Sequence, residues 1–194
     1  MAARTKLPPE EQLTIEEFLA FTDTRPDGER WELIEGVAIM NPSPVEFHQV
    51  IVANILTYLM EHKKPTRASW LPMPGVGTRV PASPRSLPQP DIFVKEAPAT
   101  AFPVTEDALV LFEVLSRSNT KTDQTWRRKV YASVPNCQHY VTVSIKAMEV
   151  VAYDRNTAWR QRSITSLSEA LDLPALTLSM PLADIYRWTP LRPQ

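Results

Sequence analysis

One cysteine, four glycines and no long apolar run stand out in this 194-residue sequence. With Cys137 as the single thiol, neither an internal disulfide nor a cysteine-built zinc site can form. Four glycines leave room for no Gly-rich phosphate loop and no dinucleotide-binding fingerprint. No segment approaches the roughly 18 consecutive apolar residues of a membrane span. The first residues, Met1-Ala2-Ala3-Arg4-Thr5-Lys6, run into acidic sequence without an apolar core, so no secretory signal is expected. Together these absences predict a cytoplasmic protein. A net charge of only -1 argues against a strongly basic, DNA-coating role.

The remaining composition is that of a globular domain. Hydrophobic residues make up 43% and charged residues 22%, enough for a full core. The length suits one domain. Residues 1–12 are polar and expected to be a mobile N-terminus, with residues 13–194 forming the domain. The small net charge conceals a segregation. Residues 1–46 are rich in Asp and Glu. From His62 to Pro90 there is no acid, but there are Lys63, Lys64, Arg67, Arg79 and Arg85. A second basic stretch, Arg117 to Lys129, is interrupted only by Asp123. Such a distribution suits either a solvated surface or a phosphate-attracting face.

Periodicity and turn chemistry predict the elements. Thr14 and Glu17 read as a capping box for a helix that buries Ile15, Phe18 and Leu19. Trp31 to Met40 reads as a hairpin turning at Glu35-Gly36. Asn41-Pro42-Ser43-Pro44 breaks the chain before a long amphipathic helix, Val45 to His62. Its apolar stripe includes Asn54 and Tyr58. Trp70 to Val80 carries prolines that favour an edge strand or a bulge. Asp91–Lys95 and Ala108–Leu115 read as buried strands, separated by an excursion at Glu96–Glu106. A helix capped by Thr122 or Asn119 runs to about Ala132. His139–Ser144 and Met148–Asp154 pair as a hairpin, followed by a strand at Trp159–Ile164 and a short helix at Ser166–Leu171. This order implies an α/β (α+β) domain, with a central mixed β-sheet flanked by helices.

The chemistry concentrates between Pro90 and Lys129. Asp91 opens one apolar strand and Glu113 sits inside the next. A carboxylate in apolar sequence is costly to bury without a charged partner, and two on neighbouring strands repel each other. A divalent cation between them resolves both difficulties. The alternatives for Glu113 are a solvent-facing position or an arginine partner. The following helix supplies Arg127, Arg128 and Lys129. Two acids, a cation between them and nearby basic groups suit attack of water on a phosphodiester. Trp126 reads as an anchor or a base-stacking surface, Tyr131 as packing, and His62, His139 and Cys137 as ordinary.

Pro90-Asp91 followed by Phe112-Glu113-Val114-Leu115-Ser116 resembles the PD-(D/E)XK nuclease superfamily, and more narrowly its Uma-type group of restriction endonucleases. Trp31-Glu32-Leu33-Ile34-Glu35-Gly36 is similar to that group's aromatic-ELIDG strand. Pro42-Ser43-Pro44 with His48 is similar to its Pro-rich turn and helix-start His. Asp123 through Tyr131, and on to His139-Tyr140-Val141, is similar to its cation-bearing helix and next strand. The resemblance spans roughly residues 12 to 155 and implies a restriction-endonuclease-like fold.

It further implies a Mg²⁺ or Mn²⁺ ion held by Asp91, Glu113 and the Val114 carbonyl, with Glu32 assisting. His48 could contact phosphate or water. The superfamily usually has Lys two residues after the Glu, where this chain has Leu115. In the Uma-type group the cation comes from the helix, four residues before a Tyr. That spacing selects Arg127, where Lys is usual, with Lys129 the neighbouring candidate. The expected function is a metal-dependent nuclease on nucleic acid, most simply a DNA endonuclease acting as a homodimer matched to the twofold of a duplex. The rival is an interaction domain for nucleic acid or protein that keeps the fold without cleavage. Trp70–Val80 and Ile185-Tyr186-Arg187-Trp188 hold residues of the interface type.

Overall fold

Thr14 begins the first regular element. In the computed structural model, which describes residues 12–63, 70–99, 104–116 and 119–192, its hydroxyl accepts from the Glu17 amide, and the Glu17 carboxylate accepts from the Thr14 amide. This capping box starts α1 (Ile15–Thr22), which buries Ile15 and Phe18. The mobile segment expected at the N-terminus lies, apart from Gln12, outside the described residues. Next, β1 (Arg30–Ile34) and β2 (Val37–Asn41) pair as the expected hairpin. Glu35 and Gly36 turn it with φ of 50° and 79°, the positive values that a tight two-residue hairpin turn requires.

α2 (Glu46–His62) buries His48, Ile51, Ile55 and Leu59. The polar members of its stripe are tethers. Asn54 donates to the carbonyls of Ile185 and Arg187, and Tyr58 donates to that of Ser179. There follow β3 (Trp70–Pro74), β4 (Gly77–Thr78), β5 (Ile92–Glu96), β6 (Val104–Thr105) and β7 (Val110–Leu115). Then come α3 (Lys121–Tyr131), β8 (His139–Ser144), β9 (Val150–Asp154), β10 (Arg160–Ile164), β11 (Ala170–Leu173), β12 (Leu178–Pro181) and α4 (Leu182–Ile185).

The central sheet has the order β10-β9-β8-β7-β5-β3. Only β7 and β8 run parallel, joined by α3, so the sheet is mixed. β3 lies at an edge, where its prolines withhold no ladder hydrogen bond from an inner strand. Strand alternation sorts β7 between two layers. Val110, Phe112 and Val114 join Ile51, Ile55 and Leu59 of α2 and the C-terminal Leu171, Met180 and Tyr186. Leu111 faces the other way, with Phe93, Tyr140 and the Val130 and Tyr131 side chains of α3. Each such side chain taken fully from water contributes about 1.5–3 kcal/mol. A third cluster, with Ile15, Phe18, Leu33 and Leu87, fixes α1 and the first hairpin.

Three expectations are corrected. The α3 cap is Thr120, whose hydroxyl accepts from the Asp123 amide. Residues 166–171 form no helix, because Ala170–Leu173 extends and pairs with Leu178–Pro181. Within the expected excursion after β5, Val104–Thr105 forms a short strand that pairs parallel with Gly77–Thr78. Lys64, Arg67 and Arg117, part of the two basic stretches, lie outside the described residues. Among the described residues no helix is long and apolar enough to cross a membrane.

Candidate active site

The end of β7 brings the two acids to one place. β5 pairs with β7 up to Ile92↔Phe112, and just before β5 the Asp91 amide donates to the Phe112 carbonyl while the Asp91 carboxylate accepts from the Val114 amide, on either side of Glu113. Glu113, two residues along β7 from Leu111, shares its face toward α3. Both carboxylates line one cleft of about 720 Å³, bordered by the Pro42–Val45 turn on one side and Lys146 on another.

α3 brings its cation to this floor. Arg127 and Tyr131, one turn apart, share a helix face. Arg127 Nη1 donates to Glu113 Oε1 at 2.8 Å and to Glu32 Oε1 at 3.0 Å, while Nη2 donates to Glu32 Oε2 at 2.7 Å. The Tyr131 hydroxyl donates to Glu113 Oε1 at 2.9 Å. Arg127 Nε reaches Asp123 Oδ2 at 3.4 Å. Behind it, Asn119 donates to Asp123 and accepts from the Ser116 amide. Glu32 is saturated with donors, because Gln89 N–H gives a 2.6 Å bond to Oε1 and Asn41 a 2.9 Å bond to Oε2. The bidentate fork is the strong form of this pairing. Its energetic meaning lies in burial: Glu32 is 1% exposed, and Glu113 and Arg127 are each 6% exposed.

One guanidinium cannot fully compensate two buried carboxylates. Burial pushes Glu113 up to about 8, with Asp91 and Glu32 adding repulsion that Arg127 and Tyr131 offset only in part. For Glu32, burial also opposes charge, but Arg127, Asn41 and the Gln89 amide outweigh it and hold the carboxyl below its ordinary value. Burial works against the Arg127 charge as well, yet Glu113 and Glu32 raise its pKa well above the ordinary value, so it stays cationic. Glu113 Oε1 accepts from both Arg127 and Tyr131, while Oε2 accepts no hydrogen bond among the described residues.

Asp91 is held differently. Its Oδ2 accepts from the Val114 amide at 2.8 Å and lies 3.3 Å from His48 Nε2. Its Oδ1 lies 3.7 Å from Arg30 Nη2. His48, in the first turn of α2, is buried, and its Nδ1 has no partner among the described residues.

The structure thus brings together Glu32, His48, Asp91, Glu113, Val114 and Arg127 from four elements and one strand-leading loop. Lys129 does not join them; it is exposed and absent from the cleft lining. Helical phase explains this, since two residues past Arg127 the helix presents its far side. Glu32, expected to assist at the ion, anchors Arg127 with both oxygens. Tyr131, expected as packing, donates to Glu113, and its i+4 spacing from Arg127 was the available signal. Arg30, Asn41, Gln89 and Lys146 carried none, Gln89 acting through its backbone. Trp126 packs partly buried in the α3 layer. His139 and Cys137 lie elsewhere, the His bonded to Asp154 at 2.6 Å.

A mixed sheet, flanking helices and an acid-floored cleft define a nuclease-like α+β domain. The chain belongs to the family described as "Uma2: Putative restriction endonuclease", which matches residues 15–183. Its fold is similar to a crystal structure of a "putative nuclease belonging to DUF820" from Anabaena variabilis, with a TM-score of 0.74 and 17% sequence identity. That likeness covers 91% of this chain and 98% of the other. No curated protein matches.

Proposed function

We propose that this chain is a divalent-metal-dependent nuclease that hydrolyses phosphodiester bonds in DNA. The observation that carries the reading is that Asp91 and Glu113 line one cleft, with Arg127 against Glu113. The donor set fits Mg²⁺ or Mn²⁺. Asp91 Oδ1 and Glu113 Oε2 accept no hydrogen bond among the described residues, and both are hard oxygen donors. Among the described residues no group of three or more His, Cys, Asp or Glu is arranged to hold an ion. Mg²⁺ suits such a sparse site, since it binds through one or two carboxylates and keeps several waters. Asp91, Glu113 and the Val114 carbonyl would hold it. When bound, it would lower the pKa of a water and polarise the phosphate.

The chain's own groups perform the rest. The Val114 amide and His48 orient Asp91. Tyr131 and Arg127 fix Glu113 through one oxygen and leave the other facing substrate chemistry. Glu32 and Asp123 hold Arg127 in place against Glu113. Plasmid DNA incubated with Mg²⁺ or Mn²⁺ is expected to be nicked or cut, with EDTA and Asp91→Asn each abolishing the reaction. An intact plasmid under all of these conditions rejects the reading.

A second reading has its own support. Arg127 cannot give up a proton, and Leu115 stands where the superfamily usually has Lys, so the site lacks an obvious general base. A binding domain that retains the fold would hold DNA without cutting it. We further propose a homodimer. Trp70, Ile185 and Tyr186 are covered within the chain, but Trp188 is 75% exposed and remains available at the surface.

A further inference from the structure

The cleft needs positive charge that its buried arginine does not offer. Besides His48, its charged lining consists of Arg30, Glu32, Asp91, Glu113, Arg127 and Lys146. Arg127 already engages Glu32, Glu113, Tyr131 and Asp123. A phosphate approaching it would have to displace buried partners. Asp91, meanwhile, presents negative charge toward any incoming phosphodiester. Lys146 is exposed at the border of the cleft, which leaves Arg30 as the arginine in contact with Asp91 and able to offset its charge.

Arg30 is placed differently. Its backbone is fixed at the start of β1 by pairing with Asn41, while its side chain is 34% exposed. Its ion pair with Asp91 Oδ1 spans 3.7 Å, longer than a hydrogen bond. A long pair whose cation is a third exposed is loosely formed and open to screening by salt. A phosphate group offers the guanidinium fork two oxygens at matching spacing, which is the stronger interaction.

We propose that Arg30 is a phosphate-binding residue of this site, its guanidinium leaving Asp91 for a backbone phosphate of DNA entering the cleft. The exchange has two consequences. The phosphate is drawn to the edge of the acid pair, and Asp91 Oδ1 is released at the moment substrate arrives. Arg127 is then a positioning residue that fixes Glu113. This inference rests on the nuclease reading above and deepens it by naming the residue that meets the substrate.

The test is binding, separated from cleavage. Fluorescence anisotropy of a short DNA duplex is measured in EDTA over a series of salt concentrations, where no hydrolysis interferes. Wild type is expected to bind with an affinity that falls with salt. Arg30→Ala is expected to lower the slope of log Kobs against log salt by about 0.9, the value of one lost phosphate contact. It should weaken binding on the order of tenfold at low salt, alike for unrelated sequences. Arg30→Lys should keep most of the slope and Arg30→Gln should not. If Arg30→Ala melts early, that Lys–Gln comparison decides. Arg25→Ala serves as a control, since Arg25 lies over the Phe21 ring and outside the cleft lining; it should bind like wild type. If wild type binds and the Arg30 variants match it in slope and affinity, the Arg30 inference is overturned and the nuclease reading stands. If wild type binds no duplex at any salt, the Arg30 inference falls, and the plasmid assay with Mg²⁺ or Mn²⁺ decides the nuclease reading separately.

Discussion

Arg127 Nη2 lies 2.7 Å from Glu32 Oε2, joining residues 95 positions apart in a buried bridge between the first hairpin and α3. Glu32 in turn receives the Gln89 amide from the loop leading into β5. This carboxylate therefore ties together the three segments that enclose the acid pair. Stability and site geometry are coupled through it.

Breaking that bridge from one side should be costly. Arg127→Met leaves Glu32 buried and uncompensated, for an expected loss of about 3–5 kcal/mol. Adding Glu32→Leu removes the stranded charge and should recover much of that loss. Urea denaturation of the two single variants and the double variant measures the coupling. Equal, additive losses would show that the pair is energetically independent.

The pH dependence of stability should carry the signature of Glu113. Its folded value of about 8 lies above its ordinary value of 4.5. Between those values the folded chain holds a proton that the unfolded chain has released, so stability falls as pH rises. Above about pH 8 both states are ionised and this fall ends. Glu32 acts in the opposite sense, but its depressed value places that effect below pH 4.5. Urea midpoints from pH 5 to 9, without divalent ions, should decline for wild type, and the decline should be clearly smaller for Glu113→Gln. Parallel profiles would remove Glu113 as the proton holder.

Divalent binding should release a proton. With the Glu113 carboxyl pushed up to about 8, a cation at its Oε2 is expected to displace a proton at pH 7. Titration calorimetry with Mn²⁺ in buffers of different ionisation enthalpy should show close to one proton released per ion bound. Asp91→Asn should abolish binding. Binding with no proton release would place the ion away from Glu113.

The Tyr131 hydroxyl should matter beyond its ring. Tyr131→Phe removes one donor to Glu113 and is expected to cost about 1 kcal/mol. Losing that donor raises Glu113 further, so the pH-dependent fall in stability should shift upward. Midpoints measured against pH separate the two effects. A variant identical to wild type would assign Tyr131 to packing alone.

Light scattering over a micromolar concentration series tests the homodimer. A mass near twice 22.0 kDa is expected, falling toward the monomer with Trp188→Ser. A monomer mass throughout rejects a stable dimer and favours nicking of one strand.

Local chemistry made much of the framework legible from sequence alone. The Thr14–Glu17 box, the Glu35-Gly36 turn and the stripe on α2 act over a few residues, so their spacing predicts their structure. Apolar runs around Asp91 and Glu113 marked two buried strands with a charge to be explained. The helical face of Arg127 followed from its distance to Tyr131. Ser166–Leu171 misled, because pairing with Leu178–Pro181 overrides weak helical spacing. What only the tertiary structure decided was who compensates whom. The bond from the Val114 amide to Asp91 brought that carboxylate into the cleft beside Glu113, the Glu32 carboxylate captured Arg127 rather than remaining available, and Arg30 came to rest beside Asp91. Each of these depends on pairings between distant segments in a low-dielectric interior. There the energy of a charge is set by its neighbours in space, which one-dimensional spacing does not encode.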